Sequence, residues 1–572
     1  MFLDFLSEVE GLLGKALDRC GFAVENGVNS LGLDVSPHAD LACSVAFRLA
    51  PVLKKSPAAI AMEIHQALPH DLHYVERVEL SGPYINFFAG KRFLGRVLEQ
   101  ALADNAWRGR MRDKVIVEHT SANPDGPLHV GHIRNSVIGD TLVRILRRAG
   151  CTVDAQYYVN DMGRQEAMVV VGLDHFQLDG SKPDHAIARV YIAANRLMET
   201  SPEIRDEADS VIQRYEAGDG EIVAKIHSAV KYAISGIEQT LSRMNIRHDS
   251  YHWESEFVRS GDVDEIVSLL ERTGLMKLED GAFQLDLTEF GFEKKMVLKR
   301  ANGTSLYITR DLAYHRWKSQ NSDRSVDILG ADHKLVSAQL RTALRLLGVR
   351  EPEVVIFEFV SLPTGSMSTR KGKFISADEL LDEVEKQAYE EVRLRRPDES
   401  EAFLKEVAAH VAAGAVRYDV VRVSADKATT FDWKQALDFE KLSAPFIQYS
   451  HARACSILRK AEGMLQPQDL QPISSSATQH AELLTGDYEI ALIKKIAEFD
   501  LVIDRAAREL KPHHLATYAR ELAESFNLFY RYSPVLDAEP DLRRARIALA
   551  MAARNALRTT LETLGIVALE TM

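Results

Sequence analysis

The stretch from Val115 to Leu146 constrains this chain more than any other. Val115-Ile116-Val117 is an apolar β-type run, and Asn123-Pro124-Asp125-Gly126-Pro127 is dense in turn formers. His129-Val130-Gly131-His132 then leads straight into apolar residues at Ile133, Val137, Ile138, Leu142, Ile145 and Leu146. That spacing lines one face of a helix, so the stretch reads strand, loop, helix, with two histidines at the helix start. The first N–H groups of a helix have no intrahelical acceptor and lie at its positive end, which attracts phosphate. Imidazoles three apart share one face of the first turn and can donate to phosphoryl oxygens. Gly131 leaves room for a nucleotide to approach the backbone. Taken alone, the HxGH pattern also fits an ordinary strand-to-helix turn with surface histidines.

Val153 to Val159 reads as a second strand, which makes a βαβ unit with a parallel sheet. Ligands of such sheets sit at the carboxyl ends of the strands. Glu118, Asn123 and His129 all follow the first strand and are therefore placed for substrate. Gly303 to His315 reads as strand into helix. Asp327-Ile328-Leu329 is a further strand, with Gly330, Asp332 and His333 in the loop after it. The fold class expected is α/β, a Rossmann-like parallel sheet with additional domains.

A chain of 572 residues has room for three or four domains. With 46% hydrophobic and 27% charged residues, the composition is that of a globular protein. No apolar run reaches the roughly 18 residues of a membrane span. The acidic residues Asp4, Glu8 and Glu10 make the N-terminal segment an amphipathic helix rather than a targeting sequence. Together these predict a cytoplasmic protein that does not associate with membranes. Its four cysteines, Cys20, Cys43, Cys151 and Cys455, form no CxxC pair, so neither a disulfide framework nor a protein metal site is expected. A net charge of -13 argues against a general nucleic-acid binder but leaves room for local basic surfaces.

Residues 1–110 read as a first α+β unit. Helical patterns cover its start, Ala39 to Leu53 and Pro57 to Leu68, and strands cover Val75 to Leu80 and Tyr84 to Phe88. Residues 111–375 hold the nucleotide-type fold, interrupted at about 175–300 by polar helices such as Ile222 to Met244. Residues 376–439 form a helical stem. From 440 to 572 the pattern is all helical: Gln448 to Ala461, Glu489 to Leu510, His514 to Tyr530 and Leu542 to Leu564.

EHTSANPDGPLHVGHIRNSVIGDTL from Glu118, and QYYVNDMGRQ from Gln156, resemble the HIGH region of class I aminoacyl-tRNA synthetases, and specifically the arginyl family. The resemblance runs through nearly the whole chain. It implies ATP-dependent activation of L-arginine, with Mg²⁺ accompanying ATP, and transfer to the 3′ end of tRNA(Arg) by a monomer. It also implies that arginine activation requires bound tRNA. GPYINFF, from Gly82, is similar to the tRNA-contacting N-terminal domain of the family, where Asn86 matches a base-contacting asparagine. Read from the residues alone, Asn86 is a turn or edge residue and Phe87 and Phe88 are core. Tyr307 and Asp311 match the residues that hold arginine, while Asn302 replaces the usual aspartate. A guanidinium suits such a pocket because a carboxylate binds its planar fork through two bonds. Position alone also allows Asp311 to be a helix cap.

Glu118, Asn123 and His129 are expected at the amino-acid end of the substrate. His129, Gly131, His132, Gly330 and Asp332 are expected around ATP. Ser366-Met367-Ser368-Thr369-Arg370-Lys371-Gly372-Lys373 resembles a degenerate KMSKS motif. Met367 and Ser368 would then touch ATP, and Lys371 or Arg370 would be the cation over the phosphates; a plain basic loop is the alternative. Phe446 to Arg453 resembles the start of the anticodon-binding bundle, with Tyr449 stacking on a base and Arg453 meeting phosphate, although core or solvated-face roles suit each alone. A non-catalytic tRNA-binding relative is the reading from another functional class, favoured only by the weakened KMSKS form.

Overall fold

The computed structural model describes residues 1–24, 31–103, 107, 109–300, 304–361, 375–440, 443–463 and 477–572. The N-terminal unit contains α1 (Phe2–Cys20), β1 (Leu33–Ser36), β2 (Ala39–Cys43), α2 (Val45–Leu53), α3 (Pro57–Ala67), β3 (Val75–Ser81) and β4 (Tyr84–Ala89). Its strands form an antiparallel sheet in the order β1-β2-β4-β3. Ala39 to Leu53 is not one helix. Ala39, Leu41 and Cys43 alternate into the core as a strand, and the helix begins only after Ser44. Asn86 is neither a turn nor an edge residue. It lies mid-sheet between Ala42 and Glu79 and is 7% exposed. Tyr84, two residues earlier and on the same strand face, is exposed. Phe87 is core, while Phe88 lies under the Arg77 guanidinium, 3.8 Å from its ring centre. α4 (Lys91–Leu102) leaves this unit and packs on the C-terminal bundle, where Asn555 Nδ2 donates to Ala101 O at 3.0 Å.

The central unit begins with β5 (Lys114–Glu118), α5 (Val130–Ala149), β6 (Thr152–Val159) and α6 (Arg164–His175). α7 (Pro183–Thr200), α8 (Pro202–Glu216) and α9 (Gly220–Arg243) lead to β7 (Ser250–Trp253), α10 (Glu254–Arg259) and α11 (Asp262–Glu271). A small antiparallel sheet of β8 (Met276–Glu279), β9 (Ala282–Leu285) and β10 (Met296–Lys299) precedes α12 (Tyr307–Asn321). β11 (Arg324–Gly330), α13 (Lys334–Leu346), β12 (Glu353–Phe357) and β13 (Val360–Ser361) complete the unit.

Five of these strands form one parallel sheet in the order β12-β11-β5-β6-β7. Val115, Ile116 and Val117 of β5 are all buried, as expected for a parallel strand covered on both faces. Residues 175–300 are therefore not wholly an insertion. Their polar helices are a long crossover, and β7 within the range is an edge strand of the main sheet. α9 buries an apolar face lined by Ile222, Ile226, Val230, Ile237 and Leu241.

α14 (Ala377–Arg395), α15 (Glu401–Val421), β14 (Thr429–Thr430) and α16 (Trp433–Ala436) form the stem. The C-terminal bundle comprises α17 (Ala444–Glu462), α18 (Ala477–Leu483), α19 (Asp487–Ala497), α20 (Phe499–Glu509), α21 (His513–Tyr532) and α22 (Pro540–Thr563). The single helix expected from Glu489 to Leu510 is two helices. The chain bends at Glu498, and α20 packs against α5.

Candidate active site

In the five-stranded sheet the connection order reverses between β5 and β11. Such a reversal opens a crevice at the carboxyl ends of the strands. A cleft of about 810 Å³ lies there, lined by residues that follow β5, β6, β7 and β11. Its volume suits a ligand of nucleotide size.

The wall after β5 turns through two residues with left-handed backbone, Thr120 (φ 69°) and Ser121 (φ 37°). Side chains of this type rarely adopt that conformation and need support. Asn135, one turn into α5, supplies it by accepting from Thr120 N at 2.6 Å, while its Nδ2 donates to Ile328 O of β11 at 2.8 Å. One side chain thus ties the turn to the strand across the crevice.

The two histidines do more than flank the helix start. His129 is the N-cap of α5, and its Nδ1 accepts from Gly131 N (3.0 Å) and His132 N (3.3 Å). His132 Nδ1 in turn accepts from His129 N at 3.2 Å. The amides expected to meet phosphate are therefore already satisfied by imidazole. The rings stack with centroids 3.6 Å apart and an angle of 20°. Because each Nδ1 accepts, each ring carries its hydrogen on Nε2. Burial lowers the pKa of His129, and burial with the neighbouring ring brings His132 to about 3. Both are neutral Nε2–H donors at pH 7. Gly131 makes room for this stack, since a Cβ there would lie 2.8 Å from His129 Cε1.

Tyr307 and Asp311 line the same cleft. Asp311 is not a helix cap: α12 starts at Tyr307, directly after Ser305 bridges Lys299 antiparallel, and Asp311 is a full turn inside the helix. Glu254 joins them in the lining and is a site residue that the sequence did not single out. It follows β7 directly, as Glu118 ends β5. The signal was the short β-type run Ser250-Tyr251-His252-Trp253, hidden among polar helices. Arg310 Nε lies 3.0 Å from Glu254 Oε1. Even so, burial raises Glu254 to about 8 and Asp311 to about 6. A cationic ligand would relieve both.

Glu118 lines the same cleft and accepts from Lys318 Nζ at 2.5 Å. Asn123 is held by Gln165, which Asp125 holds in turn, both at 2.9 Å. Gly330 and Asp332 lie on the β11 side of the cleft, with Asp332 exposed. Met367, Ser368, Arg370 and Lys371 lie outside the described residues. α14, which follows them, begins beside the histidines: Ala377 N donates to Leu128 O at 2.7 Å. Far from the cleft, the Arg453 guanidinium is stacked between Tyr449 (4.7 Å) and Tyr530 (4.9 Å) and bonds Asn527. Both tyrosines are exposed, so this is a surface stack rather than bundle core. Among the described residues two clusters have the composition of metal sites, Glu118-His315-Asp327 and Asp184-His185-Asp378. Each is bridged by a lysine ammonium, Lys318 in the first and Lys182 in the second.

The family model described as "tRNA synthetases class I (R), catalytic domain" matches residues 97–433, which puts sheet and cleft in the class I aminoacyl-tRNA synthetases. Models for an arginyl-tRNA synthetase N-terminal domain and a DALR anticodon-binding domain match residues 9–89 and 447–572. An arginine–tRNA ligase of Methanothrix thermoacetophila is 68% identical, with 100% of both chains covered. One from Methanosarcina barkeri is 53% identical, again over 100% of both chains. The solved arginyl-tRNA synthetase of Thermus thermophilus superposes with a TM-score of 0.83 at 30% identity, covering 99% of each chain. The chain belongs to the arginyl-tRNA synthetase family.

Proposed function

We infer that this protein is an arginine–tRNA ligase. It activates L-arginine with ATP and transfers it to the 3′ end of tRNA(Arg), releasing AMP and pyrophosphate. The observation that carries the reading is that two carboxylates, Glu254 and Asp311, line the same cleft as the stacked histidine pair. A guanidinium is always charged, and its five donors in a planar fork can meet two carboxylates at once. Tyr307 lines the cleft with them. Glu118 and Asn123 take the α-amino and carboxylate end, beside His129.

In the first step the arginine carboxylate attacks the α-phosphate of ATP and pyrophosphate leaves. His129 and His132 donate through Nε2–H to phosphoryl oxygens as charge builds on them. Gly131 keeps that wall low, and Gly330 and Asp332 bind the ribose. Magnesium enters with ATP, as part of that substrate. Met367 and Ser368 contact the nucleotide, and Lys371, with Arg370 beside it, neutralises the leaving phosphates. In the second step a hydroxyl of the terminal ribose attacks the arginyl carbonyl and AMP leaves. No covalent enzyme intermediate forms, so the rate comes from positioning and electrostatics. Asn86 with Tyr84 at its exposed edge, and Tyr449 with Arg453, contact tRNA.

The working units are 1–110, 111–375, 376–439 and 440–572, acting as a cytoplasmic monomer whose mass light scattering would report. No helix among the described residues is long and apolar enough to cross a membrane. The decisive assay is charging of total tRNA with labelled arginine, ATP and Mg²⁺, against lysine and the other amino acids. Arginine alone should be charged. Binding of tRNA without charging by any amino acid would make the chain a non-catalytic relative.

A further inference from the structure

Helix α12 carries more than Tyr307 and Asp311. Asp311, His315 and Lys318 are spaced to share one helix face. That face is turned toward β5 and β11, which pair in register at Glu118 and Asp327. Two carboxylates therefore stand directly opposite on neighbouring strands, where like charges repel. Lys318 resolves this. Its Nζ donates to Glu118 Oε2 at 2.5 Å and to Asp327 Oδ1 at 2.8 Å. The side chain is 0% exposed, and Nζ lies 4.1 Å from the centre of the Tyr314 ring. His315 Nε2 meets the other oxygen of Asp327 at 2.8 Å. Asp327 is thereby satisfied at both oxygens. Glu118 is not: its second oxygen has no protein partner among the described residues, and its side chain keeps 15% exposure on the cleft wall.

We propose that Lys318 is a positioning residue for the amino-acid substrate. It holds one oxygen of Glu118, cancels the charge of Asp327 alongside, and leaves the other Glu118 oxygen for the α-ammonium of arginine. The proposal rests on the reading of Glu118 as the partner of that ammonium. Lysine suits the task because its compact ammonium, with three rotatable donors on a flexible stem, can turn to carboxylates from two neighbouring strands. Without Lys318, Glu118 would face Asp327 unscreened and turn away from the position the substrate needs.

The test is a double-mutant cycle in aminoacylation, with E118Q, K318M and the pair. K318M is expected to raise the KM for arginine about ten- to a hundredfold, the effect of losing one charge-assisted bond. The KM for ATP should stay within about twofold, as for an independent site. In the E118Q background, K318M should move the arginine KM by less than about twofold, because Lys318 then has nothing left to orient. Additive effects, or an unchanged arginine KM in K318M, would overturn the proposal and leave Lys318 a packing residue. An unchanged arginine KM in E118Q itself would instead overturn the reading of Glu118. If K318M does not fold, K318R with E118Q supplies the same coupling, and the same additivity would count against the idea.

Discussion

Single side chains of the cleft carry opposite kinds of prediction. The histidines are neutral donors because the backbone takes their Nδ1 atoms, so H132A removes an Nε2–H from the proposed phosphate site. Its kcat should fall on the order of 10²–10³-fold, the usual loss of one such donor, with tRNA affinity retained in a filter-binding assay. In the same cleft, burial raises Glu254 from 4.5 to about 8, with Arg310 offsetting part of the shift. In the empty protein Glu254 is therefore protonated at neutral pH. A guanidinium stabilises the carboxylate, so binding expels a proton. The affinity for arginine should increase as pH rises from about 6 toward 8, and E254Q should flatten that dependence while weakening binding. The sign for stability is the reverse. A raised acid contributes no penalty below its unfolded value of 4.5, and its cost grows until the pH passes about 8. Bound arginine should restore that loss, which a melting curve with and without arginine at pH 8 would detect.

At the scale of the element, α5 is the axis of the active site. It begins at the histidine pair, braces the strained turn through Asn135 and ends at Gly150 in left-handed backbone. Midway, Asp140 accepts from Arg144 Nε at 2.7 Å and from Arg417 Nη2 of α15 at 2.5 Å. Arg417 is fully buried and also donates to Met244 O after α9 and Leu564 O after α22, each at 2.8 Å. Gly565, with φ 75°, leaves the room its guanidinium needs, since a Cβ would lie 2.0 Å from Nη2. One side chain thus joins the nucleotide fold, the crossover helices, the stem and the bundle. R417M would leave Asp140 to Arg144 alone and remove the donors to the Met244 and Leu564 carbonyls, and should cost about 3–5 kcal/mol of stability, measurable in urea. The start, length and apolar face of α5 were legible because its period is local. Ala39–Cys43 and Ser250–Trp253 were misread because short strands owe their state to partners distant in sequence.

The whole molecule must bring a polyanion to a chain of net charge -13. If local basic and aromatic surfaces such as the proposed Arg453 contact carry binding, the KM for tRNA should rise steeply with salt while the KM for arginine moves little. Bundle and stem meet α5 through α20 and Arg417, which gives tRNA bound on the bundle a route to the active site. ATP–pyrophosphate exchange with arginine should therefore need tRNA. Exchange at full rate without it would refute that coupling. α4 shows the same integration: it follows the N-terminal sheet in the chain yet packs on the C-terminal bundle, which local sequence patterns do not reveal.

What the sequence determined by itself is what local physics encodes. The βαβ unit follows from hydrophobic period, the histidine pair from its place at a helix start, and the bundle from helical patterning. The arginyl resemblance rested on contiguous motifs. What only the tertiary structure decided depends on groups far apart in the chain. Glu254 became a site residue when β7 joined the sheet. The histidines became neutral donors when their rings turned back on the backbone. Lys318 acquired a role when α12 crossed β5 and β11, because a buried charge takes its meaning from the charges packed against it.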